Sequence, residues 1–126
     1  MDTRGTHILV DGWEPENKQL LTDVDAAYII TRRAIQAGGF NPLEDVYHLF
    51  ESGGYSLVVL LEESHVSIHT YPEHEYAALD LYGCGKKNDI YESFRYLIKE
   101  FAFRNYSFRI IKRGIKNGLG DVKRRD

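Results

Sequence analysis

The segment from Glu62 to Glu75 carries the densest set of side chains that could do chemistry. It holds three of the five histidines of this 126-residue chain, namely His65, His69 and His74, together with serines and several carboxylates. Imidazole, hydroxyl and carboxylate groups at this density are typical of metal sites, of nucleophilic catalysis and of proton transfer. The spacing of these residues is compatible with three kinds of chemistry.

A metal site is the first interpretation, with His65 and His69 as its ligands. Residues four apart share one face of a strand, so the two imidazoles would point in the same direction. They would nevertheless lie about 13 Å apart at the ~3.3 Å rise per residue of a strand. Because zinc requires every ligand within ~2.3 Å, a shared ion would need a sharp bend, and we expect no metal.

A hydrolase is the second interpretation, with Ser64 as the nucleophile and His69 as its base. The residues around Ser64 lack the G-x-S-x-G pattern of a nucleophile elbow. The serine also lacks the strand–turn–helix context in which that elbow occurs. A serine carried on a strand is a poor match for this mechanism.

Self-cleavage of the backbone is the third interpretation. The hydroxyl of Ser64 can attack the carbonyl of Glu63, which converts the peptide bond between them into an ester. Removal of the Ser64 α-proton then expels the Glu63 carboxylate, and loss of ammonia from the resulting dehydroalanine leaves a pyruvoyl group. This chemistry needs a serine on a well-held turn, a nearby base and donors for the oxyanion. Spacing alone does not select it over the other two.

A longer pattern resembles one known family. The segment Glu63–Glu73 (ESHVSIHTYPE) resembles the processing site of the prokaryotic S-adenosylmethionine decarboxylases. The segment Ala77–Gly85 (AALDLYGCG) resembles the cysteine-bearing strand and turn of that family, and His7–Asp11 (HILVD) resembles its first strand. The resemblance covers nearly the whole chain with order and spacing intact, so it favours self-cleavage.

The resemblance implies a role for each of five residues. Cleavage falls between Glu63 and Ser64, and Ser64 becomes a covalent pyruvoyl group that forms a Schiff base with the substrate and accepts the electrons left by carbon dioxide. His69 and Ser56 correspond to residues that assist cleavage, and Cys84 corresponds to the acid that reprotonates the product carbon. Without the resemblance, His69 is a hydrogen-bonded strand histidine and Cys84 a small buried hydrophobe.

Substrate recognition is the part of the pattern that departs from the family. Phe50 and Tyr71 stand where the family sandwiches adenine between two aromatic rings, and Glu73 stands where a carboxylate holds ribose hydroxyls. Most relatives carry tryptophan at Tyr71, proline at Ser52 and glycine at Leu57. The implied reaction is decarboxylation of S-adenosylmethionine for polyamine synthesis.

Two alternatives stay open at this point. A pyruvoyl-dependent arginine or ornithine decarboxylase of the same family would need a carboxylate for the distal cation, with Asp11, Glu51 and Glu73 as candidates. The other alternative is an unprocessed, catalytically inactive relative that regulates an active partner. Failure of the chain to cleave itself would favour this regulatory partner.

Hydrophobic periodicity predicts the elements that must position these residues. The predicted strands are His7–Trp13, Val46–Phe50, Tyr55–Leu61, Val66–Thr70, Tyr76–Tyr82 and Tyr106–Lys112. Helical spacing predicts one helix that starts near Lys18, capped by Asn17, and is stopped by Gly38-Gly39. It predicts a second helix that is capped by Asp89 and runs to about Phe103. A tight turn is predicted at Gly83–Gly85. The expected fold class is α+β, a two-layer sandwich of two helices on one face of a mostly antiparallel sheet.

Composition sets the broader expectations. The length fits one domain over residues 1–126, cut by self-cleavage into 1–63 and 64–126, and a net charge of -3 gives no reason to expect nucleic-acid binding. The single cysteine, Cys84, cannot form an internal disulfide, and no apolar run approaches the ~20 residues of a membrane span. We expect a cytoplasmic protein that binds a small amino-acid substrate and no membrane. The resemblance adds a homodimer of processed protomers, with active sites near the subunit interface.

Overall fold

In the part of the chain that the structure describes, six strands form one antiparallel sheet, and two helices pack against one of its faces. The computed structural model describes residues 3–84 and 88–116. The elements are β1 (Gly5–Pro15), α1 (Val24–Ala37), β2 (Glu44–Leu49), β3 (Tyr55–Leu60), β4 (His65–Tyr71), β5 (Tyr76–Cys84), α2 (Ile90–Phe101) and β6 (Phe103–Arg113). The strand order is β2-β3-β4-β5-β1-β6, with every neighbouring pair antiparallel. The predicted α+β sandwich is confirmed.

The first helix begins at Val24, so the predicted start near Lys18 was wrong. Residues Lys18–Leu21 form a short 3-10 helix instead, and Asn17 makes no side-chain cap to it. The carboxylate of Asp23 accepts a hydrogen bond from the Ala26 N–H at 3.0 Å, which caps α1 and lowers the pKa of Asp23. Asn17 and Asp23 are both residue types that cap helices, and α1 is capped by Asp23, the later of the two.

The strand ends differ from the sequence prediction by a few residues, as at β2, which ends at Leu49 and leaves Phe50 outside the strand. Two other boundaries differ in kind. Gly83 and Cys84 extend β5 instead of forming a tight turn, because Cys84 still pairs with Gly5 of β1; Gly85 lies outside the described residues. Helix α2 ends at Phe101, where Ala102 takes a left-handed conformation with φ 52, so Phe103 belongs to β6. Neither α1 nor α2 is long and apolar enough to cross a bilayer.

Strand alternation gives the sheet two distinct faces. The face under the helices carries the buried core of the sheet, which includes Ile8, Val10, Leu57, Val59, Val66, Ile68, Leu79 and Leu81. The opposite face, called the open face below, carries the alternate residues of the same strands, among them His7, Asp11, Trp13, Ser56, Leu60, His65, His69, Tyr71, Tyr76, Asp80, Tyr82 and Cys84. Polar and chemically active side chains are therefore concentrated on one side of the sheet.

Tyr55 ties the sheet to the 3-10 helix that precedes α1. Its side chain is fully buried and its hydroxyl donates to the Leu20 carbonyl at 2.6 Å. We expect Tyr55→Phe to lower the free energy of unfolding by about 1–2 kcal/mol, because that carbonyl loses its buried donor. Urea denaturation measures the loss. The exposed Tyr47→Phe is the control, with an expected change below ~0.5 kcal/mol, and equal losses in the two variants would contradict the assignment.

Candidate active site

Ser64 lies in the turn that joins β3 to β4. The Leu61 N–H donates to the Ser64 carbonyl at 2.9 Å and closes this turn, and the Ser64 side chain is buried. Its Oγ accepts a hydrogen bond from the Cys84 N–H at 3.0 Å. The two residues are close because β5 pairs with β4 and ends beside the residue where β4 begins. The hydroxyl is therefore held in one position beside its own backbone.

The thiol of Cys84 faces the same turn. Sγ lies 3.8 Å from the Glu63 carbonyl oxygen, in position to donate a weak hydrogen bond to it. This carbonyl belongs to the Glu63–Ser64 peptide bond. A pocket of about 260 Å³ adjoins the turn and is lined by Gly39, Phe40, Asn41, Leu61, Glu62, Glu63, Ser64, Cys84 and Asn88. A hydroxyl, a thiol and a backbone N–H thus converge on a single peptide bond.

A second polar group lies at the other end of β3 and β4. Ser56 and His69 are directly opposite each other in the ladder, and Oγ of Ser56 lies 2.7 Å from Nδ1 of His69. This pair opens into a pocket of about 240 Å³ lined by Phe50, Ser52, Tyr55, Ser56, His69, Thr70, Tyr71 and Glu73. The structure brings the three predicted substrate-binding residues together with the two residues predicted to assist cleavage.

Within one chain, the residues around Ser64 and Cys84 are not in contact with those around Ser56 and His69. His69 follows Ser64 by five positions on an extended strand, a separation of about 16 Å at ~3.3 Å per residue. His69 therefore cannot reach the Ser64 hydroxyl of its own chain, which excludes a Ser64–His69 hydrolase pair within one chain. The Ser64–Cys84 end and the Ser56–His69 end are called the turn group and the pocket group below.

Two histidines on the open face, His7 and His65, lie side by side. Within residues 3–84 and 88–116, no three His, Cys, Asp or Glu side chains are close enough to share an ion. His65 lies beside His7, with ring centroids 6.2 Å apart, and Nε2 of His7 contacts Oδ1 of Asp80 at 3.1 Å. Burial, followed by the neighbouring His7, lowers the pKa of His65, so this imidazole is neutral at pH 7.

Sequence reasoning assigned no role to an aromatic row on the open face. The ring of Tyr76 stacks on Tyr71 at 5.3 Å and lies 4.4 Å from the ring of Trp13. The hydroxyl of Tyr76 donates to Asp11, and burial together with this bond raises the pKa of Tyr76 to about 12. The rings of Tyr76 and Trp13 therefore pack against Tyr71 on the side away from the 240 Å³ pocket that Tyr71 lines. Strand alternation was the signal that could have found it, because these positions share one face.

Known proteins resemble this chain over most of its length. A sequence profile described as S-adenosylmethionine decarboxylase matches residues 6–114. The S-adenosylmethionine decarboxylase proenzyme of Sulfurihydrogenibium sp. (strain YO3AOP1) is 38% identical over 115 residues, which cover 90% of this chain and 84% of the relative. The proenzyme of Pyrococcus abyssi (strain GE5 / Orsay) is 36% identical over 118 residues, covering 92% and 83%. The crystal structure of the adenosylmethionine decarboxylase from Aquifex aeolicus VF5 superposes with a TM-score of 0.82 at 30% identity, covering 91% of this chain and 94% of that one.

The fold and these similarities define the class of protein first: it is an enzyme, a carboxy-lyase. The chain belongs to the S-adenosylmethionine decarboxylase family. The resemblance inferred from the sequence pattern is confirmed.

Proposed function

We propose that this protein is a proenzyme that cleaves itself between Glu63 and Ser64 and then decarboxylates S-adenosylmethionine in polyamine synthesis. The observation that carries the proposal is the geometry of the turn group. The Ser64 hydroxyl is held by the Cys84 N–H, and the Cys84 thiol contacts the carbonyl of the bond to be cut. Membership of the family supports the same reaction.

Cleavage begins at the Ser64 hydroxyl. Oγ attacks the Glu63 carbonyl carbon, the C–N bond breaks, and the nitrogen takes up a proton as the ester forms. The Cys84 S–H at 3.8 Å from the Glu63 oxygen supplies a donor for the negative charge that develops there. Removal of the Ser64 α-proton then expels the Glu63 carboxylate, and hydrolysis with loss of ammonia leaves a pyruvoyl N-terminus on the second fragment.

The residues around Ser64 fit such a group. When present, a pyruvoyl group supplies an electron sink for the decarboxylation of an α-amino acid. Ser64 is buried at a closed turn, so the group is held away from bulk water. The Cys84 thiol lies at the adjacent end of β5 and donates the proton that the product carbon requires.

A second copy of the chain completes the site. His69 lies about 16 Å from the Ser64 of its own chain by strand geometry, so it serves the Ser64 of another. The open face exposes Trp13, Leu60 and Tyr71, apolar side chains that favour burial against a partner. In the proposed homodimer the open faces meet about a two-fold axis, and each pocket group contacts the turn group of the other chain.

The pocket group fits an adenosyl substrate better than a basic amino acid. Phe50 and Tyr71 offer two aromatic rings to a purine, and Glu73 offers a carboxylate to ribose hydroxyls. Of the three carboxylates considered for a basic substrate, only Glu73 lines this pocket. Asp11 already accepts the hydroxyl of Tyr76, and Glu51 is exposed in the turn before β3.

Intact mass under denaturing conditions and carbon dioxide release test this function together. We expect two fragments, 1–63 and 64–126, the second with a pyruvoyl N-terminus, and release of carbon dioxide from S-adenosylmethionine but not from arginine or ornithine. A single uncut chain after long incubation would overturn the proposal in favour of the inactive regulatory partner. Release from arginine or ornithine alone would reassign the substrate.

A further inference from the structure

Tyr82 and Cys84 project from the same face of β5 towards Gly5 of β1. Gly5 pairs directly with Cys84 in the ladder. A Cβ atom on Gly5 would lie 2.8 Å from Sγ of Cys84 and 2.9 Å from the hydroxyl oxygen of Tyr82. The thiol and the phenol therefore both border the space that the missing side chain of Gly5 leaves free.

Charged and titratable groups surround Tyr82 from each neighbouring element. Arg113 of β6 places its guanidinium carbon 4.8 Å from the centre of the Tyr82 ring. His7 of β1 and His65 of β4 lie with their ring centroids 5.7 and 5.8 Å from that of Tyr82. The carboxylate of Glu63, in the β3–β4 turn, is the nearby negative charge.

When the Cys84 thiol ionises, the phenol of Tyr82 keeps its proton. The side chain of Cys84 is the largest cause of the raised pKa of Tyr82, followed by burial, while Arg113 acts in the opposite direction. A phenol with a raised pKa keeps its hydrogen, so it is the donor and the sulfur is the acceptor. Hydrogen bonds to a charged acceptor are stronger than bonds between neutral groups, so the contact strengthens when Cys84 becomes a thiolate.

We propose that Tyr82 is a positioning residue for the proton donor of the reaction. Its hydroxyl donates a hydrogen bond to Sγ of Cys84, orients the thiol towards Ser64 and stabilises the thiolate that remains after the thiol proton moves to the product carbon. The thiolate then regains a proton from water before the next turnover. The proposal rests on the proposed role of Cys84 as the acid.

A titration of the Cys84 thiolate tests the contact without any turnover. Cys84 is the single cysteine, so the ultraviolet absorbance of the thiolate, measured against the matching Cys84→Ala variant, reports on this residue alone. All chains carry Ser64→Ala, which removes any need for the pyruvoyl group. We expect Tyr82→Phe to raise the midpoint of thiolate formation by roughly one pH unit, because the thiolate loses a donor while the ring is kept.

Tyr91→Phe is the matched control. Its hydroxyl lies 3.1 Å from Nζ of Lys112, which sits 5.4 Å from the centre of the ring, so it also pairs a phenol with a cation. Tyr91 lies on α2, on the other side of the sheet from Cys84, and its loss should leave the midpoint unchanged. A midpoint that does not rise in Tyr82→Phe, or that rises equally in Tyr91→Phe, overturns the proposal.

Two further readouts separate this role from a general loss of structure. Gly5→Ala inserts a methyl group between the sulfur and the hydroxyl, and it should raise the midpoint while Tyr82 is still present. In the processed enzyme, Tyr82→Phe should move the alkaline limb of the kcat profile upward, because the thiol stays protonated to higher pH. If the wild-type chain neither cleaves nor releases carbon dioxide, the proposed function fails, while the thiolate titration still decides the contact between Tyr82 and Cys84.

Discussion

Chains carrying Ser64→Ala should stay uncut at 126 residues and release no carbon dioxide from S-adenosylmethionine. Without Oγ nothing attacks the Glu63 carbonyl carbon, and without cleavage no pyruvoyl group forms. We expect activity to fall by at least ~10⁴-fold, the scale seen when a nucleophile is removed. Denaturing mass spectrometry measures the cleavage, and trapping of labelled carbon dioxide measures the turnover.

Ser67→Ala is the control for this variant. Ser67 is also a buried serine close to the cleavage site in sequence, but its hydroxyl points to Oδ2 of Asp80 at 3.5 Å and not to the turn. The Ser67→Ala chain should therefore cleave as the wild type does. If Ser64→Ala still yields the two fragments, or if folded Ser67→Ala is equally uncut, Ser64 is not the nucleophile.

Two inactive chains should restore each other when they are made together. The Ser64→Ala chain keeps an intact pocket group, and the His69→Ala chain keeps an intact turn group. In a two-fold dimer a mixed pair contains one site with both groups and one site with neither. Alone, the His69→Ala chain should cleave at least ~100-fold more slowly because it lacks its base. Co-expressed with differently tagged Ser64→Ala, it should be cut, and the mixed dimer should regain roughly half of the wild-type activity per dimer.

Other pairs of variants make this result specific. Ser56→Ala should behave like His69→Ala when mixed with Ser64→Ala, since both changes fall in the pocket group. Mixing Ser56→Ala with His69→Ala should restore nothing, because each chain then meets a damaged pocket group. If purification through both tags yields mixed dimers in which the His69→Ala chain is still uncut, the two groups do not act across the interface.

Local sequence patterns determined the elements and the sides of the sheet. The alternation of Val66 and Ile68 with His65, Ser67 and His69 predicted which side chains of β4 face the core, and Val66 and Ile68 do. This succeeds because the direction of a strand side chain depends only on its own backbone. Ser67 is also buried, although it lies on the open face. The end of α1 before Gly38-Gly39, where Gly39 takes the left-handed conformation, and the cap of α2 by Asp89 were predictable because both are local effects of the residues involved.

The start of α1 was not decided locally. Asn17 and Asp23 are both good capping residues, and the sequence offered no way to rank them. In the folded protein Leu20 and Leu21 of the intervening 3-10 helix are buried, and the Leu20 carbonyl accepts the Tyr55 hydroxyl. The segment before Asp23 therefore packs in a conformation that depends on a distant strand.

In the candidate site, too, some features were predictable from the sequence and others depended on the tertiary structure. The pattern around Ser64, with the family it resembles, named the residues, since a reaction constrains which side-chain types stand near the bond that is cut. Only the tertiary structure decided which of them meet: Cys84 with Ser64, and Ser56 with His69. Strand pairing and register set these contacts, and they follow from the packing free energy of the whole sheet, which a local pattern does not contain. The turn group and the pocket group are separated because Ser64 and His69 lie at opposite ends of β4, and the proposed second chain answers that separation.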